Sequence, residues 1–312
     1  MAEKKAAYRV TNWKKYNDSL VRRGDITLWF AEDVIAAWEH ANQEVKVGRP
    51  FIYSDTAIEC LLALRELFQL PYRQTEGLGR ALVKLMNVAV AIPDFTSLAK
   101  RAAKLGVSLE LPTSSGPIDV VVDSTGLKVF GAGEWRSEAY RTAKRRTWRK
   151  LHLSVNAATQ EIVAEVLTSK RRDDADLVPE LLAQVTSPVA KLYGDGAYDK
   201  WKLYDVLARE EIQPVIPPRR RASIRQHGNC AGRPLPRDEA IRGIRRLGRR
   251  RWKQASGYHR RSLVETSMSR LKRAFGNRLK NKRFENQKTE ARLRCKLLNR
   301  FTQLGLPQFI WN

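Results

Sequence analysis

Four polar residues in the stretch Gly257–Gly276 have the types and spacing for chemistry: Tyr258, Arg261, Glu265 and Lys272, at steps of three, four and seven. At roughly 100° per residue these steps return close to one angle, so the spacing predicts one narrow polar face of a helix. Beside it runs an apolar stripe, Val264, Met268, Leu271 and Phe275, which would hold that helix on a core. A carboxylate flanked by a phenol, a guanidinium and an ammonium suits holding a divalent metal while the cations and hydroxyl hold the phosphate that the metal activates. A mixed-charge surface helix carries the same pattern, so the residues upstream decide. Asp123 closes the first apolar strand, in VVVDSTG, and Asp195 closes the fourth, in KLYGDGAY. The glycines after them leave room for a ligand near the backbone, although an aspartate after a strand also commonly begins a turn. Three carboxylates meeting in one place would repel one another. A divalent cation removes that cost.

The elements that must position these residues are legible in outline. At 312 residues the chain has room for a full core and two domains. Its formal net charge of +25 and pI near 10.3 call for a polyanionic partner, nucleic acid first. A hydrophobic content of 43% excludes a disordered basic tail. Three scattered cysteines, Cys60, Cys230 and Cys295, fit a reducing compartment rather than a disulfide framework or zinc site. No apolar run approaches membrane-spanning length, and the N-terminus has no signal-like apolar region, so the expectation is a cytoplasmic protein without a membrane partner.

Residues 1–50 read as an arm and a helix around Phe30–His40. Residues 51–112 read as three helices: one from Ser54 or Asp55 to before Pro71, one over Gln74–Asn87, and a basic one opened by Pro93 and Asp94. Lys100, Arg101 and Lys104 lie on the outer side of the third, an arrangement that fits a helix-turn-helix DNA reader. A helical cap or dimerisation domain fits it as well. From residue 113 the pattern is α/β: strands at Ile118–Val122, Lys150–Val155 and Glu161–Leu167, a helix at Asp174–Val185, a strand at Val189–Tyr193, a helix at Tyr198–Arg209, a strand at Gln213–Ile216, then C-terminal helices ending near Gln287–Leu304. That order predicts one mixed sheet. Within this part, residues 217–253 hold twelve arginines and a lysine against Asp238 and Glu239. Pro and Gly interrupt the run, so it reads as a loosely structured arm. Arg219, Arg220, Arg221, Arg249, Arg250 and Arg251 are its candidates for clamping a phosphate backbone.

Three blocks carry a resemblance to bacterial insertion-sequence transposases of the DDE type, and within these to insertion-sequence family five: VVVDSTGLKVFG, KLYGDGAYD, and GYHRRSLVETSMSRLKRAFG with its Tyr-Arg-Glu-Lys signature. The resemblance implies a ribonuclease-H-like mixed-sheet catalytic core over 113–312, an N-terminal helical DNA-binding domain, and Mg²⁺ held by Asp123, Asp195 and Glu265. Separations of 72 and 70 residues between those acids leave no room for a large inserted domain. The reaction implied is hydrolysis at the element's terminal inverted repeats, then transfer of the 3′-hydroxyl into target DNA, with two metal ions about 3.5–4 Å apart and Mn²⁺ able to substitute. Tyr258, Arg261 and Lys272, with Arg149 and Lys150, would grip phosphates. Trp201 and Trp252 are candidate stacking partners for a flipped base, though tryptophans more often pack in cores, and His152 reads as a packed strand residue. The implied partners are double-stranded DNA and a second copy of the chain in a DNA-bound synaptic complex at the nucleoid. The alternative is a DNA-binding regulator built on an inactive transposase core.

Overall fold

The computed structural model describes residues 8–41, 50–112, 116–129, 148–227 and 232–311. Two compact units emerge: residues 1–108 together with 296–312, and residues 109–295. The segment from Lys296 onward thus clusters with the N-terminal unit, not with residues 113–295. Phe130 and Gly131, the end of the block VVVDSTGLKVFG, and Cys230 lie outside the described residues.

In the first unit, β1 (Tyr8–Val10) pairs antiparallel with β8 (Phe309–Trp311). Helices α1 (Trp13–Arg22) and α2 (Glu32–Ala36) follow; α2 is the short outcome of the helix expected around Phe30–His40. The centre is α3 (Asp55–Leu67), flanked by α4 (Tyr72–Leu85) and α5 (Phe95–Ala102). α3 is buried on all sides, with Ile58, Leu61 and Leu64 fully enclosed. Arg65, which breaks the apolar pattern of α3, is therefore also buried, ion-paired to Glu66 and set 4.3 Å from the Tyr72 ring centroid. Gly79 lets α4 approach α3: a Cβ there would stand 2.9 Å from the Leu61 side chain. Ser54 caps α3 by accepting a hydrogen bond from the Ala57 N–H at 3.1 Å. Ser54→Ala is expected to cost about 1 kcal/mol, measurable as a lower denaturation midpoint of the full chain. Asp94 caps α5 through the Thr96 and Ser97 N–H groups, and the Thr96 hydroxyl, followed by the Ser97 N–H and hydroxyl, holds its carboxyl well below the usual range.

The second unit is built on a mixed sheet of order β4-β3-β2-β5-β6, with a short β7 also on β2. The strands are β2 (Ile118–Val129), β3 (Trp148–Asn156), β4 (Ile162–Ser169), β5 (Val189–Tyr193), β6 (Gln213–Val215) and β7 (Arg278–Leu279). β2, β3 and β4 form an antiparallel meander, whereas β5 and β7 run parallel to β2. β2 is central because Val120, Val121 and Val122 are apolar on both faces and all three are buried. Helices α6 (Val178–Leu182) and α7 (Trp201–Arg209) bury Val178, Leu181, Leu203 and Leu207 against the face carrying Val120, Val122 and Leu192. Helix α10 (Ser262–Phe275) packs on β2 and β3 through the predicted stripe: Val264, Met268, Leu271 and Phe275 are all buried. Helix α11 (Phe284–Leu304) closes the second unit and enters the first at Lys296. Among the described residues, no helix is long and apolar enough to cross a membrane, and Cys60 and Cys295 are buried free thiols.

Three expectations change. The first strand does not stop at Asp123: it runs on to Val129, because Thr125 and Leu127 continue the alternation and residues Trp148–Leu153 of β3 pair with it throughout. The expected helix at Asp174–Val185 is a short turn at Ala175–Leu177 followed by α6. The basic run 217–253 is not a loose arm: it contains α8 (Pro236–Leu247) and α9 (Arg249–Ala255). Pro236 sits at the first turn of α8 with Asp238 and Glu239 behind it, a favourable helix start that the arginine density obscures. Gly248, at φ 77°, breaks the two helices apart.

Candidate active site

Asp123 sits in the middle of β2, half-buried, with its Oδ1 accepting a hydrogen bond from the Ser124 N–H at 2.7 Å. On the parallel side of β2, Val121 is in register with Tyr193, the last residue of β5. Asp195 therefore emerges two residues past the strand end, next to β2. It caps the turn Gly196–Tyr198 by accepting from the Ala197 N–H at 2.8 Å. Gly194 leaves room there, since a Cβ would crowd the Tyr198 ring at 3.1 Å. Glu265 projects from the first turn of α10 with a half-exposed side chain.

Only part of the predicted polar face is α-helical. Tyr258 and Arg261 lie in a 3-10 turn, Tyr258–Arg261, entered through Gly257 at φ 69° and leading directly into α10. The arrangement still brings the four residues to one side. Arg261 is ion-paired to Glu265 and reaches Asp123 Oδ2 at 3.7 Å. Lys272 donates to Thr125 Oγ1 at 2.6 Å, two residues along β2 from Asp123. The Tyr258 ring lies 4.7 Å from the Lys253 ammonium.

The electrostatics tie the same residues together. Burial pushes the Asp123 carboxyl above the ordinary carboxylate range, and the nearby charges of Asp195 and Glu265 push it further, while the Ser124 N–H and Arg261 oppose them. The Tyr258 phenol is likewise raised, chiefly by burial, with Asp195, Asp123 and Glu265 adding to it and Arg261 acting against it. Burial of Arg261 works against its charge, but Glu265, Tyr258 and Asp123 outweigh it. Asp123 thus feels the charges of Asp195 and Glu265, with one guanidinium set between Asp123 and Glu265. Among the described residues, no three His, Cys, Asp or Glu side chains are gathered closely enough to hold a metal ion as they stand. The donor chemistry nevertheless fits a hard divalent cation. It is all carboxylate oxygen, Asp123 is raised by burial with the charges of Asp195 and Glu265 adding to it, and Arg261 stands beside it as counter-ion.

The remaining predicted residues are placed as follows. The Arg149 Nε donates to Gln287 Oε1 at 2.8 Å, and its guanidinium lies 4.7 Å from the Phe284 ring centroid. Lys150 donates to Asp174 Oδ2 at 2.8 Å. His152 is fully buried, as expected, with Nε2 2.9 Å from Thr168 Oγ1. In the first unit, Lys100 and Lys104 are exposed, but Arg101 is not on the outer side: it donates to the Tyr53 carbonyl and pairs with Asp55, over the Phe51 ring. Arg219, Arg220, Arg221, Arg250 and Arg251 are exposed, whereas Arg249 is tethered to the Pro218 carbonyl at 2.6 Å. Trp252 is a core residue against Gly243, and the Trp201 ring has the guanidinium carbons of Arg225 and Arg237 at 4.5 and 4.6 Å.

Two contributors escape the sequence reading. Asp119, four residues before Asp123 and so on the same face of β2, accepts from Arg260 at 3.0 Å and from the Tyr193 hydroxyl at 3.3 Å. Adjacent arginines, Arg260 and Arg261, thereby bind the turn Tyr258–Arg261 to two aspartates of one strand. The period-two relation of Asp119 to Asp123 was the available signal. Asp174 is the second contributor: it accepts from Lys150 and lies beside His152.

A family model described as "Transposase DDE domain" matches residues 114–300, and a second model of the same description matches residues 21–132. Among solved structures, the chain is similar to a piggyBac transposase in a synaptic complex with hairpin DNA, at 11% identity and a TM-score of 0.41, over 95% of this chain and 77% of that one. The first family model spans more than half of the sequence and contains every acidic and basic residue gathered around Asp123, so the chain belongs to the DDE transposase family and is a DNA transposase, a metal-dependent endonuclease and strand transferase.

Proposed function

We propose that Asp123, Asp195 and Glu265 are the metal-holding carboxylates of a ribonuclease-H-like core, and that Mg²⁺ is the ion they hold. The observation that carries this reading is the placement of Arg261, ion-paired to Glu265 and reaching Asp123, whose carboxyl is raised by burial and further by the charges of Asp195 and Glu265. The bound ions would supply Lewis acidity for an in-line displacement at phosphorus. The remaining work falls to the chain itself. Asp123, on the rigid central strand, fixes the position of the centre. Arg261 trades its carboxylates for phosphate oxygens, to which its planar fork is matched. Lys272, anchored at Thr125, and the Tyr258 hydroxyl hold the neighbouring phosphates. The substrate is the pair of terminal inverted repeats of a mobile element. Hydrolysis frees a 3′-hydroxyl, which then attacks target DNA. No covalent protein intermediate is required. The spacing of Tyr258, Arg261, Glu265 and Lys272 supports membership of insertion-sequence family five, and the proposal extends to a homodimer on DNA in a bacterial cytoplasm, with Mn²⁺ able to replace Mg²⁺.

The helical N-terminal unit, with Lys100 and Lys104 exposed, is proposed as the reader of DNA ends. Arg219, Arg220, Arg221, Arg250 and Arg251 are proposed to hold the phosphate backbone. The test of the reaction is direct. Purified protein with end-bearing DNA should give 3′-hydroxyl ends in Mg²⁺ or Mn²⁺ and none in EDTA; no metal-dependent cleavage of such DNA would overturn the reading. The backbone clamp has its own measurement. Replacing those five arginines by Ala should flatten the plot of log affinity against log salt by about 0.9 per lost phosphate contact. An unchanged slope removes them from the interface.

A further inference from the structure

The turn Asp173–Asp174 lies between β4 and α6; Asp174 meets Lys150 and His152 of β3, and Asp173 meets Lys200, just past the turn that Asp195 caps. Asp174 Oδ2 accepts from Lys150 at 2.8 Å, and Asp174 Oδ1 lies 3.1 Å from His152 Nδ1. The Ser124 hydroxyl, next in sequence to Asp123, also donates to the Asp174 carboxylate. Although burial opposes ionisation, the bonds from His152, Lys150 and Ser124 hold this carboxyl well below the usual range. Its neighbour Asp173 pairs with Lys200 at 2.6 Å and caps the following turn through the Ala175 N–H at 3.1 Å. Lys200 in turn donates its N–H to the Tyr198 carbonyl at 2.8 Å, the end of the turn that Asp195 caps. Behind both, the buried Tyr198 phenol is raised by burial and by the charges of Asp174, Asp123 and Asp195.

The pleat decides what Asp174 can do. Ser124 is in register with His152 and Asp123 with Leu153, so Ser124 and His152 share one face of the sheet while the Asp123 side chain leaves from the other. Asp174 therefore meets the Ser124 face and acts on Asp123 only through the strand. A hydrolase-like Ser-His-Asp relay is excluded by the same geometry, because His152 Nε2 faces Thr168 and Ser124 bonds the carboxylate itself. We propose that Asp174 is a positioning residue: with Asp173 and Lys150 it locks Ser124 on β2 and the Asp195 turn in the relative placement that lets the two aspartates share a metal centre. Lys150 is thereby the ammonium partner of Asp174.

This inference rests on the reading of Asp123 and Asp195 as ligands, and the test separates the two. Mn²⁺ affinity of the full-length protein is measured by electron paramagnetic resonance of the free ion, without DNA, for the native chain, Asp123→Asn, Asp174→Asn and Lys150→Met. Thermal unfolding of each is followed in parallel. Asp174→Asn keeps the side-chain shape but cannot hold the ammonium, so it should fold; Lys150→Met removes the other half of the pair. Expected are a loss of detectable binding in Asp123→Asn and a weakening of about 10–100-fold in Asp174→Asn and in Lys150→Met, the scale typical of groups that orient metal ligands. Native affinity in both of these folded variants, with binding lost in Asp123→Asn, overturns the positioning role and leaves the ligand assignment standing. Native affinity in Asp123→Asn overturns both.

Discussion

Asp123→Ala, Asp195→Ala and Glu265→Ala are each expected to lower DNA cleavage on the order of 10⁴-fold, as removal of one member of a catalytic unit does elsewhere. Binding of end-bearing DNA in Ca²⁺ should survive. The physical reason is that the two functions draw on opposite charges. The carboxylates repel phosphate until a divalent cation intervenes, so deleting one removes chemistry without removing attraction. The attraction comes from the cationic surface of a chain carrying net charge +25. Among the three, Asp123→Ala has a further expected signature. Asp123 is half-buried, its carboxyl is raised chiefly by burial with Asp195 and Glu265 adding to it, and it faces Arg261. Its loss leaves Arg261 with Glu265 alone, and the variant should bind end DNA at least as tightly as the native chain. The measurement is cleavage of labelled end DNA beside a binding isotherm in Ca²⁺. Cleavage within about tenfold of native by any one variant strikes that residue from the set.

Glu290→Ala is expected to destabilise the protein by about 3–5 kcal/mol, the cost of leaving a buried ionic partner uncompensated. Glu290 and Arg294 pair on α11 with both side chains enclosed. Glu290 also accepts from the Lys280 N–H, the Asn281 N–H and the Asn281 side chain, and Arg294 donates to the Arg278 carbonyl at 3.1 Å. The pair thus fastens the segment 278–281 to α11. That segment begins with β7, which is in register with Lys128 and Val129 at the far end of β2. Loss of Glu290 should therefore unseat the end of the strand that carries Asp123, and activity should fall together with stability. Urea unfolding of the full chain checks the first effect. A change below about 1 kcal/mol would place this pair among weak surface bridges, against its burial.

How much of this was legible in the sequence follows from which interactions are local. Strands β5 and β6, the start of α3 at Ser54 and the cap of α5 at Asp94 follow from patterns within a few residues, and the structure bears them out within a residue or so. The apolar stripe of α10 was equally local, because helical periodicity alone assigns a buried face. The basic run 217–253 misled because arginine density masks the helix periodicity. Its helices are fixed by Gly248 and by buried Asp238, which accepts from the backbone of Arg225 and Gln226.

The sequence alone determined the identities and spacings of Asp123, Asp195, Glu265 and the basic residues near Glu265, since one-dimensional order fixes which side chains a strand or helix presents together. Tertiary structure decided which charges are already committed. Arg101 belongs to Asp55, Arg149 to Gln287 and Lys150 to Asp174, while Arg261 lies among the acids. A basic residue looks the same in a sequence whether its partner is a solvent-exposed phosphate or a carboxylate on a distant strand. Only the folded register, in which Ser124 faces His152 and Val121 faces Tyr193, brings such partners within bonding distance.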